Sequence, residues 1–429
     1  MSNFELSIIF FFQLAFILAT CRVVGLAARW IGQPQVVGEM IAGVVMGPSL
    51  FGLLFPALQA QIFPKASMTI TYAVAQIGLV LYMFLIGVEF DVSLIRNRLR
   101  SAASVSLAGI LTPFVLGSLL ALALLGNSAF FTPGVGRWEA MLFLGAAMSI
   151  TAFPMLARII YERGLTGTSL GTLALAAGSM DDAAAWCILA IVLASFKGDA
   201  SIAAFAVGGG VLYAAFVLTV GSRLLRRVGE RVERAGAISG PMLTFVLMLL
   251  MLCAWVTDAI GIYAVFGAFI LGTAMPRGLF AREIQRHLEP LTTNFLLPLF
   301  FVYSGLNTRI GLVDTPQLWG VALVILLAAC LGKGAACWLA ARFNGEDNRE
   351  ALAIGTLMNS RGLMELIILN IGLERGVITP TLFTIMVVMA IVTTLVASPL
   401  FELVYRRRQS QAPVALDGAV ALPSAGLNS

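Results

Sequence analysis

Asp181 and Asp182 stand side by side in Gly178-Ser-Met-Asp-Asp-Ala-Ala-Ala-Trp186 and are the only charged residues between Arg163 and Lys197. A carboxylate is a hard oxygen ligand and also a proton acceptor, so it can hold a monovalent cation or a proton at one place. Four other ionisable residues are isolated in apolar sequence in the same way: Glu39, Lys333, Arg361 and Glu365. At the centre of a bilayer each charge costs about 2.5–3.5 kcal/mol on insertion scales, so each needs a partner, a water-filled cavity or a function. Adjacent residues of a helix point roughly 100° apart, so the two aspartates have different surroundings. One faces an ion path and the other a neighbouring helix; a pair that merely caps a helix would need a break at this point. Lys333, in Ala328-Ala-Cys-Leu-Gly-Lys-Gly-Ala-Ala336, is too deep to reach an interface by snorkelling. It needs a carboxylate, Asp181 or Asp182, either as a structural ion pair or as part of the ion site.

These readings depend on a membrane as solvent, and the composition supplies one. The 429 residues are 59% hydrophobic and 11% charged, against roughly a quarter charged for a soluble domain. The formal charge of +5 is spread between apolar runs and does not form a patch, which excludes nucleic-acid binding. His287 is the only histidine, and Cys21, Cys187, Cys253, Cys330 and Cys337 lack paired ligand spacing. Neither a zinc site nor a disulfide framework is indicated, and no cofactor is expected. Soluble enzyme chemistry has no nucleophile and base constellation or phosphate loop to support it. The first apolar run carries Glu5 and no basic residue ahead of it, which reads as a retained helix and not a signal peptide.

The expected fold is an all-α polytopic membrane protein with about thirteen transmembrane helices. They fall near residues 4–27, 35–54, 68–90, 101–125, 138–160, 168–195, 201–222, 240–257, 261–276, 290–307, 317–340, 351–372 and 380–404. With the N-terminus outside and the C-terminus inside, the outer loops hold only Lys65, Arg137, Lys197, Arg309 and Arg375. Lys333 and Arg361 lie within spans, and the rest of the 27 basic residues fall on the inside. Residues 1–405 then form the membrane domain. Residues 406–429, rich in Ala, Pro, Ser and Gln beyond Arg408, read as a short disordered cytoplasmic tail.

Two spans carry polar interruptions: Met148-Ser-Ile-Thr-Ala-Phe-Pro154 in the fifth and Leu357-Met-Asn-Ser-Arg-Gly-Leu-Met-Glu365 in the twelfth. Pro154 cannot donate a helical hydrogen bond, and Asn359, Ser360, Arg361 and Gly362 offer a place to unwind. Interrupted helices in matching positions of two halves point to a transport site at the midplane, although a Ser/Thr-Pro kink alone is common in membrane helices. The first break precedes the aspartate helix and the second follows the lysine helix, an order suited to inverted symmetry. Thr151, Ser149 and freed carbonyls would complete an oxygen shell around a cation at Asp182 and Asp181. Arg361 and Glu365 would offset half-helix dipoles at the crossing.

Seven segments together resemble the monovalent cation:proton antiporter-2 family, including its bacterial sodium/proton exchangers and its plant-type cation/proton exchanger branch. They are Gln33 to Pro48, Phe84 to Asp91, Ser149 to Pro154, Asp181 to Trp186, Leu297 to Phe301 with Ser304 to Leu306, Gly332-Lys333 and Asn359 to Leu366. The resemblance covers nearly all of residues 5 to 405. It implies an inverted-repeat Na⁺/H⁺ antiporter fold with two broken crossing helices, assembled as a homodimer. Core helices at about 101–195 and 317–404 would move against the remaining dimerisation and linker helices. The family's essential carboxylate falls on Asp182, its neighbour on Asp181 and its core lysine on Lys333. Plant-type relatives usually have Asn in place of Asp181 and Lys in place of Arg361. The paired-aspartate form is similar to electrogenic sodium antiporters, and the Asn-Asp form goes with electroneutral exchange, often of K⁺. Relatives with a fused nucleotide-binding domain can be ligand-gated, and the short tail implies that such gating is absent here.

The function these observations support is secondary active monovalent cation/proton antiport by alternating access in a bacterial inner membrane. Na⁺ is the favoured cargo over K⁺, and pH homeostasis is the role such exchange serves. A cation-coupled symporter of an organic solute on the same fold would need more polar or aromatic pocket residues. A cation channel would need a filter repeated by symmetry, and a membrane sensor a soluble output domain. Glu39 and Glu89 remain candidates for either ion-path or structural carboxylates.

Overall fold

A backbone in hydrocarbon has no water to bond, so its polar groups must be satisfied within the chain. In the computed structural model of the protein the described residues are accordingly helical, apart from loops and one isolated antiparallel bridge between Phe131 and Ile378. Residues 2–33, 35–89, 99–165, 168–195, 200–306 and 308–405 are described. Phe90, Asp91, Arg96, Arg98, Lys197 and the tail 406–429 lie outside them, as do the side chains of Pro154, Arg158 and Trp186.

The chain opens with α1 (Asn3–Trp30), α2 (Gln35–Met46), α3 (Phe51–Leu54), α4 (Pro56–Ile62) and α5 (Lys65–Glu89). There follow α6 (Leu99–Leu124), α7 (Arg137–Ser149), α8 (Phe153–Glu162) and α9 (Ser169–Ser195). A π turn at Val217–Gly221 joins α10 (Ala200–Phe216) to α11 (Ser222–Ala235), and α12 (Gly240–Ile260) and α13 (Ala264–Ala274) come next. A second π turn, Thr292–Leu296, joins α14 (Leu279–Leu291) to α15 (Leu297–Leu306). The last four are α16 (Pro316–Phe343), α17 (Asn348–Met358), α18 (Leu363–Glu374) and α19 (Pro380–Val404).

Each of the thirteen expected spans contains helix, and nine stretches among the described residues are long and apolar enough to cross a membrane. The fifth and twelfth spans fall short because each is two half-helices, α7 with α8 and α17 with α18, of 10 to 13 residues apiece. Such pieces reach only about 15–20 Å, against a hydrocarbon core of about 30 Å. The seventh and tenth spans differ from expectation in the other direction. Arg223, Arg226, Arg227, Arg231 and Arg234 lie on α11, and Arg282 and Arg286 on α14, where loops were expected. Both helices are amphipathic, burying Leu225, Gly229 and Val232 in one case and Phe280, Ile284 and Leu288 in the other. A window tuned to continuous hydropathy misses a helix whose apolar residues occupy one stripe.

Several helix starts are written in the sequence. Thr315 and Thr379 accept the N–H groups of Leu318 and Leu382, each just ahead of a proline in the first turn, and Asp347 accepts from Arg349 at the start of α17. Packing gathers the helices into two neighbourhoods. In one, α6 packs on α7 and α16, α9 on α6 and α8, and α17 on α16 and α19. In the other, α5 packs on α13 and α15, α2 on α1 and α15, and α12 on α13. The two three-span units of the first neighbourhood are tied at one end by their loops. Thr379 N donates to Phe130 O at 3.0 Å and Thr132 N to Val377 O at 3.3 Å. At the other end Arg163 pairs with Glu402 and donates to Ser398 Oγ at 2.6 Å.

Candidate ion site

Where α7 stops, Ile150 takes an extended conformation (φ −67°, ψ 132°), and the chain stays unwound until Phe153 opens α8. Pro154 stands in the first turn of α8, where no helical N–H bond is lost. In the second break, Asn359 ends α17 and residues 360–362 are unwound before α18. Gly362 makes this possible: at φ 159°, ψ −119° it adopts a backbone that L side chains rarely reach, and a Cβ there would lie 3.2 Å from Met155. The two unwound segments touch through the backbone, Ala152 N donating to Ser360 O at 3.1 Å.

Each half-helix ends in the membrane interior with unmade backbone bonds and a dipole. The C-terminal carbonyls of α7 are met by two cations from elsewhere in the chain. Arg361 donates through Nη1 to Ala147 O at 3.3 Å and through Nη2 to Met148 O at 2.7 Å. Lys333 donates to Ser149 O and, at 2.9 Å, to Gly109 O on α6. Gly109 has no room for a side chain, since a Cβ would lie 2.7 Å from Cys337 Sγ. At the N-terminus of α18, Glu365 sits in the first turn with an oxygen 3.6 Å from Arg361 Nη1. Thr394 of α19 holds the second break in shape, accepting from Arg361 N at 3.1 Å and donating to Arg361 O at 2.7 Å.

The two aspartates diverge as adjacent helical residues must. Asp181 Oδ2 accepts from Thr151 Oγ1 at 2.5 Å and from Lys333 Nζ at 3.1 Å, so it is the aspartate that pairs with the lysine. Both side chains of this pair are fully buried. Asp182 is buried as well, yet neither of its carboxylate oxygens has a hydrogen-bond partner. The Phe153 N–H, at the positive end of α8, approaches it without closing a full bond. Ser149 Oγ donates to Ala146 O at 2.9 Å, leaving the lone pairs of that hydroxyl and the Thr151 oxygen near the crossing.

Counted as fully ionised, the crossing holds three carboxylates, Asp181, Asp182 and Glu365, against two cations, Lys333 and Arg361. An unbalanced charge away from water is costly. One monovalent cation or one proton bound among these carboxylates removes the imbalance.

Thus Asp181, Asp182, Ser149, Thr151, Lys333, Arg361 and Glu365 come together with the breaks at Pro154 and Asn359. Asn359 Nδ2 donates to Cys330 O at 3.1 Å, tying the second break to the lysine helix α16. Of the other two candidate carboxylates, Glu39 accepts from Gln35 on α2 at 3.0 Å, and Glu89 accepts from Gln285 at 2.8 Å at the end of α5. Sequence reading missed Gly109, Thr394 and the Ala147 and Met148 carbonyls. Thr394 alone left a sequence signal, as part of a Thr-Thr pair inside an apolar span; backbone acceptors leave none.

Residues 14–406 match the family model described as "Sodium/hydrogen exchanger, transmembrane". The chain belongs to this family. Within the exchangers it is similar to the Na(+)/H(+) antiporter NhaS4 of Synechocystis, with 42% identity over 91% of this chain and 95% of that one. It is 37% identical to Cation/H(+) antiporter 17 of Arabidopsis thaliana over 93% of this chain, and spans about half (48%) of that longer protein. The fold is similar to that of the sodium proton antiporter MjNhaP1 from Methanocaldococcus jannaschii. The TM-score is 0.66 at 16% identity, covering 93% of this chain and 96% of the other. The chain is therefore a multi-pass membrane protein whose relatives are transporters.

Proposed function

We propose that this exchanger carries out secondary active antiport of a monovalent cation against protons, with Na⁺ as the favoured cargo and K⁺ as the alternative. Asp182 is the shared binding group. The observation that carries the reading is its buried carboxylate, which has no hydrogen-bond partner, in a group that carries one negative charge in excess when fully ionised. A partly dehydrated cation or a proton binds there, one excluding the other, and shared occupancy is the coupling. Thr151, Ser149 and freed carbonyls of the breaks supply further oxygens, and the Lys333 pair with Asp181 sets how many charges move per cycle.

Alternating access in this scheme comes from helices 101–195 and 317–404 moving as a body against the rest, which form the homodimer contact. The N-terminus faces outward and the C-terminus the cytoplasm of a cell with this protein in its inner membrane; the arginine bias supports that orientation.

The test uses purified protein in liposomes with an imposed pH gradient, adding Na⁺ or K⁺ separately while internal pH is followed. Cation-dependent dissipation that disappears in Asp182→Asn is expected. Retained exchange in that variant would sink the assignment of Asp182, and no response of folded wild-type protein to either cation would favour organic-solute symport.

A further inference from the structure

A small cavity of mixed lining lies away from the ion site, on the seam between the two helix neighbourhoods. It has a volume of about 20 Å³, the room one water-sized occupant needs. Tyr72 and Gln76 of α5, Tyr263 of the turn before α13, Tyr303 of α15, and Asn370 and Glu374 of α18 supply its polar groups, and apolar side chains of α15 and α18 close the rest of its wall. The Tyr72 and Tyr303 rings meet at 5.2 Å between centroids. Asn370 Nδ2 reaches Ser304 Oγ at 3.5 Å, a long contact across the same seam. Glu374 is exposed at the rim and lies within electrostatic reach of Tyr72 and Tyr263. Asp258 and Arg375 also lie within electrostatic reach of Tyr263.

The backbone supplies an independent observation. Tyr263, at φ 103°, ψ 135°, is the one non-glycine residue with positive φ among the described residues. For a bulky side chain that conformation is an outlier that surrounding structure must enforce, and such outliers gather at functional sites. Here it sets the residue whose ring lines the cavity.

We propose that this cavity is a waiting site for a partly dehydrated monovalent cation on the path to Asp182, an inference that rests on the antiport reading. Hydroxyl and amide oxygens, aromatic faces and one carboxylate suit a singly charged hard cation. The volume excludes an organic solute, and a single carboxylate is too little charge for a dedicated calcium site. The cavity also lies on the right element. α18 starts at the second break, and Asn370 follows Glu365 by about 7.5 Å along the helix axis. A cation held at Glu374 is about 13.5 Å along α18 from Glu365, with Asn370 between them on a seam that alternating access must open.

Two measurements test it. The first is ²³Na NMR line broadening in the Asp182→Asn background, which removes the main site and does not depend on transport. Broadening that Glu374→Gln or Tyr303→Phe abolishes is expected; equal signals with and without Glu374→Gln would overturn the proposal. The second is exchange in oriented proteoliposomes. Glu374→Gln should raise the apparent KM for the cation about fivefold from the face that carries Glu374 and leave the opposite face unchanged. That factor corresponds to the roughly 1 kcal/mol by which one water-facing carboxylate holds a cation. An equal change from both faces, or a change in maximal rate alone, would count against a waiting site. Absence of wild-type exchange would bear on the antiport reading and leave the binding measurement to decide this one.

Discussion

At the scale of single residues, the division of labour between the two aspartates follows from their partners. Asp181 is neutralised in place by Lys333 and bonded by Thr151, whereas Asp182 has oxygens to spare. Removing the lysine leaves a buried carboxylate without its counter-charge, and truncation of one partner of a buried pair typically costs about 3–5 kcal/mol. Lys333→Ala should therefore lower thermal stability in detergent sharply, and Lys333→Ala with Asp181→Asn should recover much of the loss. A double-mutant cycle with no coupling energy would show the pairing to be incidental. The same single variant should alter the pH dependence of exchange or its response to membrane voltage. For Asp182, the proposed competition has a definite sign: protons would displace the cation, so the apparent KM for Na⁺ should rise as pH falls. In the acidic limb mass action makes the rise about tenfold per pH unit. Steady-state exchange measured over pH checks it, and a KM independent of pH would mean that cation and proton use separate sites.

At the scale of elements, the crossing stands or falls with the groups that cap its four half-helix ends. Arg361 serves three functions at once: it bonds two carbonyls of α7, lies beside Glu365 at the start of α18, and is locked at its backbone by Thr394. Arg361→Ala should lower stability and abolish exchange, because it exposes two buried carbonyls and leaves Glu365 uncompensated. Arg361→Lys keeps the charge but gives up the forked geometry that reaches Ala147 and Met148 together. It should retain part of the activity at reduced melting temperature, and full wild-type behaviour of the alanine variant would remove the capping role. Gly362 is the other element-level requirement. Gly362→Ala imposes a side chain on a conformation hostile to it, at a cost of about 1–3 kcal/mol, with Met155 in the way. Thermal denaturation reads this directly.

At the scale of the whole molecule, the proposed motion requires that the two helix neighbourhoods slide. Gln33 Nε2 donates to Leu395 O at 2.9 Å and so joins the segment before α2 to α19 across the seam. In a variant without the five native cysteines, a reducible cross-linker between cysteines at positions 33 and 395 should stop exchange, and reduction should restore it. A link placed between positions 13 of α1 and 67 of α5, whose native side chains Gln13 and Ser67 meet at 2.7 Å within one neighbourhood, should leave exchange intact. Equal inhibition by both links would argue against motion of one body on the other.

Much was legible in the sequence because the membrane sets hard limits. Span number, the two interruptions and the isolated charges are local patterns that hydrocarbon does not tolerate without a reason. Where the local pattern was weaker, the reading fell short: α11 and α14 hide their helical character in one apolar stripe, and arginine-rich segments looked like loops. Which aspartate takes the lysine was undetermined, because adjacent residues differ only in azimuth and the neighbour at each azimuth belongs to helices far along the chain. The contacts of the Ala147, Met148, Ser149 and Gly109 carbonyls were equally invisible, since every residue has a carbonyl and only tertiary packing decides which of them meets a cation. The sequence by itself determined that charges must be buried in a membrane bundle. The tertiary structure decided that one of them, at Asp182, was left without a partner, because its neighbours pair with one another.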